Sequence, residues 1–282
     1  QDHSKSQLIP YAHTKRALAH YNLKEYDRTI NDYQVILNQY INHESAHDAL
    51  IGLQETLNFL GRSQEFDNYL ARYKTAHPEN SSVANIEYES AVNLYLNENY
   101  TAAITRLQNF INAYPDNRQV FEAKFYLAES YYRSGQDQQA ISNYQTVVAD
   151  NKIAQLNRAW RRLGDLWFEQ EDYQQAISSY RELESRATSK KENYYAWSGL
   201  MESYFIEGNY AEVDRYASMI IDQGGVNTNA VNRSMLLRGK AAYEQQQLDV
   251  ATDYFLNTMN SAQDENGAEA QYMLAKIQFD QG

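Results

Sequence analysis

One pattern recurs along the chain at an average interval of about 37 residues. In the segment AESYYRSGQDQQA, Ala128 is followed four residues later by an aromatic residue, and Ala140 closes the segment. The opening position is occupied by Ala17, Leu57, Ala91, Ala128, Gly164, Met201, Gly239 and Ala275. The closing position is occupied by Thr29, Tyr69, Ala103, Ala140, Ala176, Val213 and Ala251. Such periodicity predicts stacked units that bury their apolar faces against one another.

The spacing within each unit predicts two antiparallel helices. Small residues allow helices to approach closely, and large residues one turn away fill the groove between them. The residues four positions after the closing site are Tyr33, Tyr73, Leu107, Tyr144, Tyr180, Ala217 and Phe255. With only 3 Pro and 11 Gly, the chain has few turn-formers for a β-sandwich or barrel. We therefore expect an all-α superhelical solenoid of about seven helical hairpins plus the first helix of an eighth.

Two polar segments interrupt the rhythm. One is SRATSKKEN at 185–193, and the other is DQGGVNTNAVN at 222–232, which contains Gly224 and Gly225. We interpret both as long connections that serve as hinges within a single domain covering residues 1–282.

The spacing resembles that of the tetratricopeptide repeat family, whose unit has roughly 34 residues. The match is strongest over residues 99–148, NYTAAITRLQNFINAYPDNRQVFEAKFYLAESYYRSGQDQQAISNYQTVV. The connection YPDN, followed by an Ala-containing helix, is similar to a subtype found in periplasmic Tol–Pal-associated and outer-membrane-assembly proteins of bacteria. Repeat two departs from the pattern, because Leu57 and Tyr69 replace small residues and Gly61 replaces an aromatic one.

The composition excludes several functional classes. A net charge of −12 disfavours binding to nucleic acids and to anionic lipid surfaces. The absence of Cys excludes disulfides and thiolate metal sites. No apolar run approaches the roughly 20 residues of a membrane-spanning helix.

Aromatic residues occupy the position four residues after the opening site in seven of eight units. The resemblance to tetratricopeptide repeats implies that this position faces the concave groove. The strongest candidates for contact with a partner are Tyr95, Tyr132, Phe168, Phe205 and Tyr243. Packing against the neighbouring hairpin is the alternative explanation for these rings, and both interpretations remain open.

A basic cluster within this acidic chain is a second candidate site. Arg158, Arg161 and Arg162 lie within five residues, close to Lys152. Because guanidinium groups bind carboxylates through two parallel hydrogen bonds, the cluster suggests a site for an acidic peptide or a C-terminal carboxylate. A solvated helix face with local ion pairs is the alternative.

A third candidate is the segment His43-Glu44-Ser45-Ala46-His47, which fits the H-E-x-x-H pattern of zinc hydrolases. The pattern requires both histidines on one helix, with a third ligand nearby. The segment instead falls in the connection between two repeats, at the start of a helix. We therefore keep the zinc hydrolase as a remote alternative and predict no metal and no other cofactor.

These observations favour a non-catalytic scaffold that binds a peptide or a helix of another protein. The resemblance implies a role in a bacterial cell-envelope assembly, at a periplasmic or outer-membrane-associated location, with the cytoplasm as the alternative. A glycan-binding protein that uses stacked aromatic rings is the second hypothesis.

Residues 268–282, AEAQYMLAKIQFDQG, reproduce the first helix of another hairpin. Arrays of this kind end in a capping element with a polar outer face. We therefore expect that the array continues beyond residue 282. In the absence of further repeats, we expect self-association to cover the apolar side chains of this helix.

Overall fold

The computed structural model describes residues 8–78, 82–223 and 228–281, and all regular secondary structure in these ranges is helical. The helices are α1 (Leu8–Asn22), α2 (Tyr26–Gln39), α3 (Ser45–Phe59), α4 (Asp67–Ala76), α5 (Ser82–Leu96), α6 (Tyr100–Ala113), α7 (Val120–Arg133), α8 (Asp137–Asp150), α9 (Leu156–Glu169), α10 (Tyr173–Arg186), α11 (Lys190–Ile206), α12 (Tyr210–Gln223), α13 (Thr228–Glu244), α14 (Leu248–Ser261) and α15 (Glu265–Gln281). A 3₁₀ turn, Ser63–Phe66, precedes α4. The predicted all-α architecture is confirmed for the described residues.

The described helices follow one another as seven hairpins, from α1–α2 to α13–α14, and α15 begins an eighth. The chain divides into two compact units, Gln1–Asn143 and Tyr144–Gly282, and the division falls within α8. Within a unit, the first helix of one hairpin packs against the first helix of the next, as α5 does on α7 and α11 on α13. That residues 1–282 form one solenoid stays a prediction.

Every described hairpin turns through one residue in the left-handed backbone conformation. These residues are Lys24, Gly61, Glu98, Gly135, Glu171, Gly208 and Gln246, with φ angles of 61–72°. Between α7 and α8, the N–H of Gly135 donates to the carbonyl of Tyr132 at 3.1 Å, and the N–H of Gln136 donates to that of Tyr131 at 2.9 Å. The same two bonds recur at all seven turns. They satisfy carbonyls that the helix end leaves unpaired, and they give every hairpin the same turn.

The turn geometry corrects the register that the sequence suggested for repeat two. The left-handed residue lies seven positions after the small residue in the other six hairpins, so Gly61 places the opening position at Gln54 rather than Leu57. The closing position then moves from Tyr69 to Phe66, and the large residue that follows moves from Tyr73 to Leu70. Gly61 is the turn residue, and Asn58 takes the position predicted to be aromatic. The corrected interval is 37 residues on both sides of Gln54.

The segment 185–193 was predicted to be a long connection, and this prediction is wrong. Helix α10 continues to Arg186 and α11 begins at Lys190, so only residues 187–189 join them. The Ser189 side chain accepts the N–H of Glu192 at 3.2 Å, and the Glu192 carboxylate accepts the N–H of Thr188 at 2.8 Å. This reciprocal capping starts the helix within the polar segment.

In the second polar segment, residues 224–227 lie outside the described residues, and residues 228–232 belong to α13. A hinge role for either segment stays a prediction.

Aromatic rings occupy the space that the small residues leave. The buried Tyr180 ring of α10 lies between Gly164 of α9 and Gly199 of α11. A Cβ atom at Gly164 would lie 2.5 Å from Tyr180 Cε1, and one at Gly199 would lie 2.4 Å from Tyr180 Cζ. Gly239 receives the ring of Phe255 in the same way. The lack of a side chain at these glycines therefore leaves space for an aromatic ring. It also lets neighbouring helices pack closely.

The Tyr180 hydroxyl is also fixed in place. It donates to Asp165 Oδ1 at 2.9 Å, and burial together with the Asp165 charge raises the pKa of Tyr180 well above its usual range. The hydroxyl therefore stays protonated and remains a donor under all physiological conditions.

We expect Gly199→Ala to lower the free energy of unfolding by roughly 1–3 kcal/mol, because its methyl group overlaps the Tyr180 ring. Chemical denaturation measures the loss. In a Tyr180→Leu background, which removes the ring, the same substitution should cost much less. Equal costs in both backgrounds would show that the ring and the glycine are not coupled.

The turns generate a second prediction. Glu171→Gly should raise the free energy of unfolding by about 0.5–1 kcal/mol, because glycine adopts the left-handed conformation without steric cost. The matched control is Gln271→Gly in the middle of α15, which should lower stability by a similar amount. Thermal or chemical denaturation compares the two. A loss of stability in Glu171→Gly would contradict the turn geometry.

Candidate partner-binding face

The predicted aromatic residues lie near the C-terminal ends of the first helices, next to the hairpin turns. All five are half-buried: Tyr95, Tyr132, Phe168, Phe205 and Tyr243. Part of each ring is therefore available to another molecule, and part packs within the protein. Their role in binding stays a prediction.

The rings of Tyr95, Phe168 and Phe205 pack within their own hairpins. The aromatic residue that opens the second helix lies 5.9 Å away in the pair Tyr95–Tyr100, and 5.4 Å away in the pair Phe168–Tyr173, measured between ring centroids. Tilted and edge-on ring pairs at these distances are favourable. The rings thus support the hairpin turns, and the packing explanation accounts for part of the pattern.

In the first unit, hydroxyl–carboxylate bonds join consecutive first helices. Tyr95 of α5 donates to Glu129 Oε2 of α7 at 3.0 Å, and Tyr88 donates to Glu122 Oε2 at 2.9 Å. The Glu129 side chain is fully buried. Burial and the bond to the Glu122 carboxylate raise the pKa of Tyr88. The Tyr88 hydroxyl therefore remains a donor, and the two hydrogen bonds join α5 to α7.

In the second unit, cations contact the rings of Phe205 and Tyr243, and the Tyr243 hydroxyl also donates to Asp280 Oδ2 at 3.1 Å. The Lys240 ammonium lies 5.4 Å from the centroid of the Phe205 ring, and the Lys276 ammonium lies 4.9 Å from that of Tyr243. Ammonium groups within about 6 Å of a ring are attracted by its negative face. These contacts connect α11 to α13 and α13 to α15.

An ion-pair network extends along the same helices. Arg233 donates two hydrogen bonds to the Glu202 carboxylate, at 2.7 and 2.8 Å. Lys240 donates to Glu269 Oε1 at 2.6 Å, and Arg233 lies 3.6 Å from the other oxygen of Glu269. The hydrogen bond to Glu202 raises the pKa of Arg233. The first-helix face of this unit is therefore charged, with its cations and anions paired.

Sequence reasoning missed the residue directly after each small residue. Glu129, Lys240 and Lys276 occupy this position, and each contacts the aromatic residue of the preceding hairpin. The signal was present in the sequence, because a charged residue beside a buried small one recurs in most units. In the sequence alone, such a charged residue looks like any solvent-exposed residue of a helix, because its contact lies on the neighbouring helix.

Helices α3 and α5 face each other across a groove in the first unit. Ile51 and Glu55 line it from α3, and Tyr88, Glu89 and Val92 line it from α5, around an open cleft of about 230 Å³. Gln54 Nε2 donates to the carbonyl of Ile86 at 3.4 Å and joins the two helices. One turn beyond this lining, Phe59 and Leu96 are 64% and 62% exposed, and the Phe59 ring lies 5.0 Å from the Tyr26 ring of the preceding hairpin. The groove thus combines carboxylates with apolar side chains, and exposed apolar side chains lie at its end.

The arginine cluster lies on α9. Arg161 Nε is 3.5 Å from Asp165 Oδ2, and its guanidinium carbon is 3.9 Å from the centroid of the Tyr195 ring. The charge of Arg161 is therefore partly compensated within the protein. Arg158 is exposed and Arg162 is half-buried on the same helix. Binding of a carboxylate by this cluster stays a prediction.

The H-E-x-x-H segment does not have the geometry of a zinc site. His43 and Glu44 precede α3, so the two histidines do not share a helix. His43 Nδ1 accepts the N–H of Ser45 at 3.1 Å, while the His47 ring lies 6.3 Å from that of Tyr73. The described residues contain no group of three His, Asp or Glu side chains that could hold a metal ion. In the described part of the chain, the His43 ring instead accepts the first backbone N–H of α3.

We expect His43→Ala to lower the free energy of unfolding by about 1 kcal/mol, because an N–H at the start of α3 loses its acceptor. His43→Asn offers another acceptor and should restore most of the loss. A chelator should leave the melting temperature of the wild type unchanged. A chelator-induced drop that is absent from His47→Ala would instead establish a metal site.

Among the described residues, no helix is both long enough and apolar enough to cross a membrane.

Comparison with known proteins supports the repeat assignment. A family model described as tetratricopeptide repeat matches residues 88–152 and 127–192. No curated protein matches the chain. The structure of Naa15/Naa10 bound to HypK-THB is similar, with 14% identity and a TM-score of 0.57 over 95% of this chain and 39% of that chain.

Two bacterial structures also match. A tetratricopeptide repeat protein from Parabacteroides merdae has 13% identity and a TM-score of 0.45 over 96% of this chain and 99% of that one. PilF from Pseudomonas aeruginosa has 18% identity and a TM-score of 0.49 over 82% and 98%. The tetratricopeptide repeat model thus covers residues 88–192, and the similarity to the Naa15/Naa10 structure concerns the helical-hairpin fold alone.

Proposed function

We propose that this chain is a non-catalytic scaffold that binds a peptide or a helix of another protein on the face formed by its first helices. The observation that carries the proposal is the groove between α3 and α5, together with the exposed side chains of Phe59 and Leu96 at the ends of these two helices. Exposed apolar side chains that cluster in a groove are typical of protein interaction sites.

The fold supports the same function. Tetratricopeptide repeats are typical of protein–protein interaction and are generally non-catalytic. The similar Naa15/Naa10 structure is itself a complex, bound to HypK-THB. A peptide-binding scaffold is the function that such a repeat and such a groove favour together.

A glycan-binding role receives less support. Sugar stacking needs open ring faces, and Lys240 and Lys276 lie over the rings of Phe205 and Tyr243. We therefore prefer a protein partner.

We extend the proposal to a bacterial cell-envelope assembly, in the periplasm or at the outer membrane. Its support is the resemblance of the YPDN connection, Tyr114 to Asn117, to envelope members of the family. Self-association is supported by α15, on which Phe279 is 85% exposed and Tyr272 is 65% exposed.

Site-specific photo-crosslinking in cells of the native host tests the proposal. A benzophenone amino acid in place of Phe59 or Leu96 should yield a discrete protein adduct, because both positions face the proposed partner. The same group at Asn112, an exposed residue of the second helix α6, should yield none. An envelope protein in the adduct would support the envelope assignment.

Adducts that form only from Asn112, or equally from all three positions, would contradict a first-helix binding face. Far-ultraviolet circular dichroism of the three proteins controls for folding.

A further inference from the structure

The groove between α3 and α5 has two parallel stripes of side chains. Residues four apart lie on the same face of a helix, so Ile51, Glu55 and Phe59 form one stripe of α3. Val92 and Leu96 form the facing stripe of α5, beside Glu89. Each stripe therefore combines a carboxylate with exposed or half-buried apolar groups.

The charge of the groove has one sign. Neither α3 nor α5 contains Lys or Arg, and their carboxylates are Asp48, Glu55, Glu87 and Glu89. Lys74 pairs with Glu87 at 2.7 Å. Glu55 and Glu89 are exposed, and neither makes an ion pair or a hydrogen bond with a described residue. The groove thus presents two carboxylates without a cation.

The first helices of the second unit differ in this respect. There, Arg233 and Lys240 neutralise Glu202 and Glu269 on neighbouring helices. Carboxylates at the first-helix face are therefore paired where a cation is available within the protein. No described cation lies beside Glu55 and Glu89, so a binding partner could supply the positive charges that pair with them.

The size of the cleft indicates what enters it. A volume of about 230 Å³ is below the range of roughly 300–1,000 Å³ for pockets that hold whole small molecules. It suits individual side chains of a larger partner. Lysine and arginine fit both features, because their aliphatic stems pack on apolar surface while their charged ends reach carboxylates.

We propose that the α3–α5 groove binds a segment of another protein in which Lys or Arg residues are interspersed with large aliphatic or aromatic residues. The apolar residues of this segment contact Phe59, Val92 and Leu96, and its cations pair with Glu55 and Glu89. This inference rests on the proposed scaffold function and specifies the chemistry of the partner.

Phage display followed by binding measurements tests the inference. A library of random twelve-residue peptides is selected against the full chain. The selected peptides should be enriched in Lys or Arg together with Leu, Ile, Phe or Tyr. Fluorescence anisotropy should show an affinity about tenfold lower for the double variant Glu55→Gln/Glu89→Gln, because both ion pairs are lost.

The matched control is Glu44→Gln/Asp116→Asn, which changes the net charge equally at two exposed positions outside the groove. It should bind like the wild type. Raising the salt concentration should weaken binding to the wild type more than to the groove variant, because salt screens exposed ion pairs.

Two outcomes would overturn the inference: selected peptides without enrichment in Lys or Arg, or equal affinity for the wild type and the groove variant. If such peptides still lose affinity in Phe59→Ser/Leu96→Ser, the scaffold function survives and only the basic partner is refuted. A library that yields no binder, together with no photo-adduct from Phe59 or Leu96, would refute both.

Discussion

The structure depends on the packing of a large side chain into the space left by small residues. Tyr180 shows this most clearly, because its ring lies between Gly164 and Gly199 and a Cβ atom at either glycine would overlap it. The ring belongs to a second helix, while the two glycines belong to the first helices of consecutive hairpins. One contact thus fixes both the crossing within a hairpin and the position of the next hairpin. Related contacts recur where Tyr33 meets Gly52 and where Phe255 meets Gly239, and they favour a spacing near 37 residues.

The hairpin turns give the exposed side chains the same spacing as the buried ones. Because all seven described turns have the same two hydrogen bonds, the residues one and four positions after each small residue recur at equivalent places on the first helices. There the aromatic residue of one hairpin meets the charged residue of the next, as in Tyr95–Glu129 and Phe205–Lys240. The packing that stacks the hairpins therefore also determines which side chains lie on the proposed partner-binding face.

The sequence predicted the helical hairpins and their number, because periodicity and small residues report directly on close helix packing. It misplaced repeat two, because Gln54 is neither small nor apolar and only the backbone of Gly61 reveals the register. It misjudged residues 185–193, because Ser189 and Glu192 look like a polar loop although they cap a helix. The contacts of Glu129 and Lys240 needed the neighbouring helix, which no local pattern supplies.

The central claim is that partners bind on the face of the first helices. Amide hydrogen exchange, measured on the full chain alone and with a cross-linked or selected partner, tests it most directly. We predict slower exchange in α3 and α5 on binding, with little change in α4 and α6, because the partner covers the groove between the first helices. Protection confined to α4 and α6, with α3 and α5 unchanged, would contradict this account.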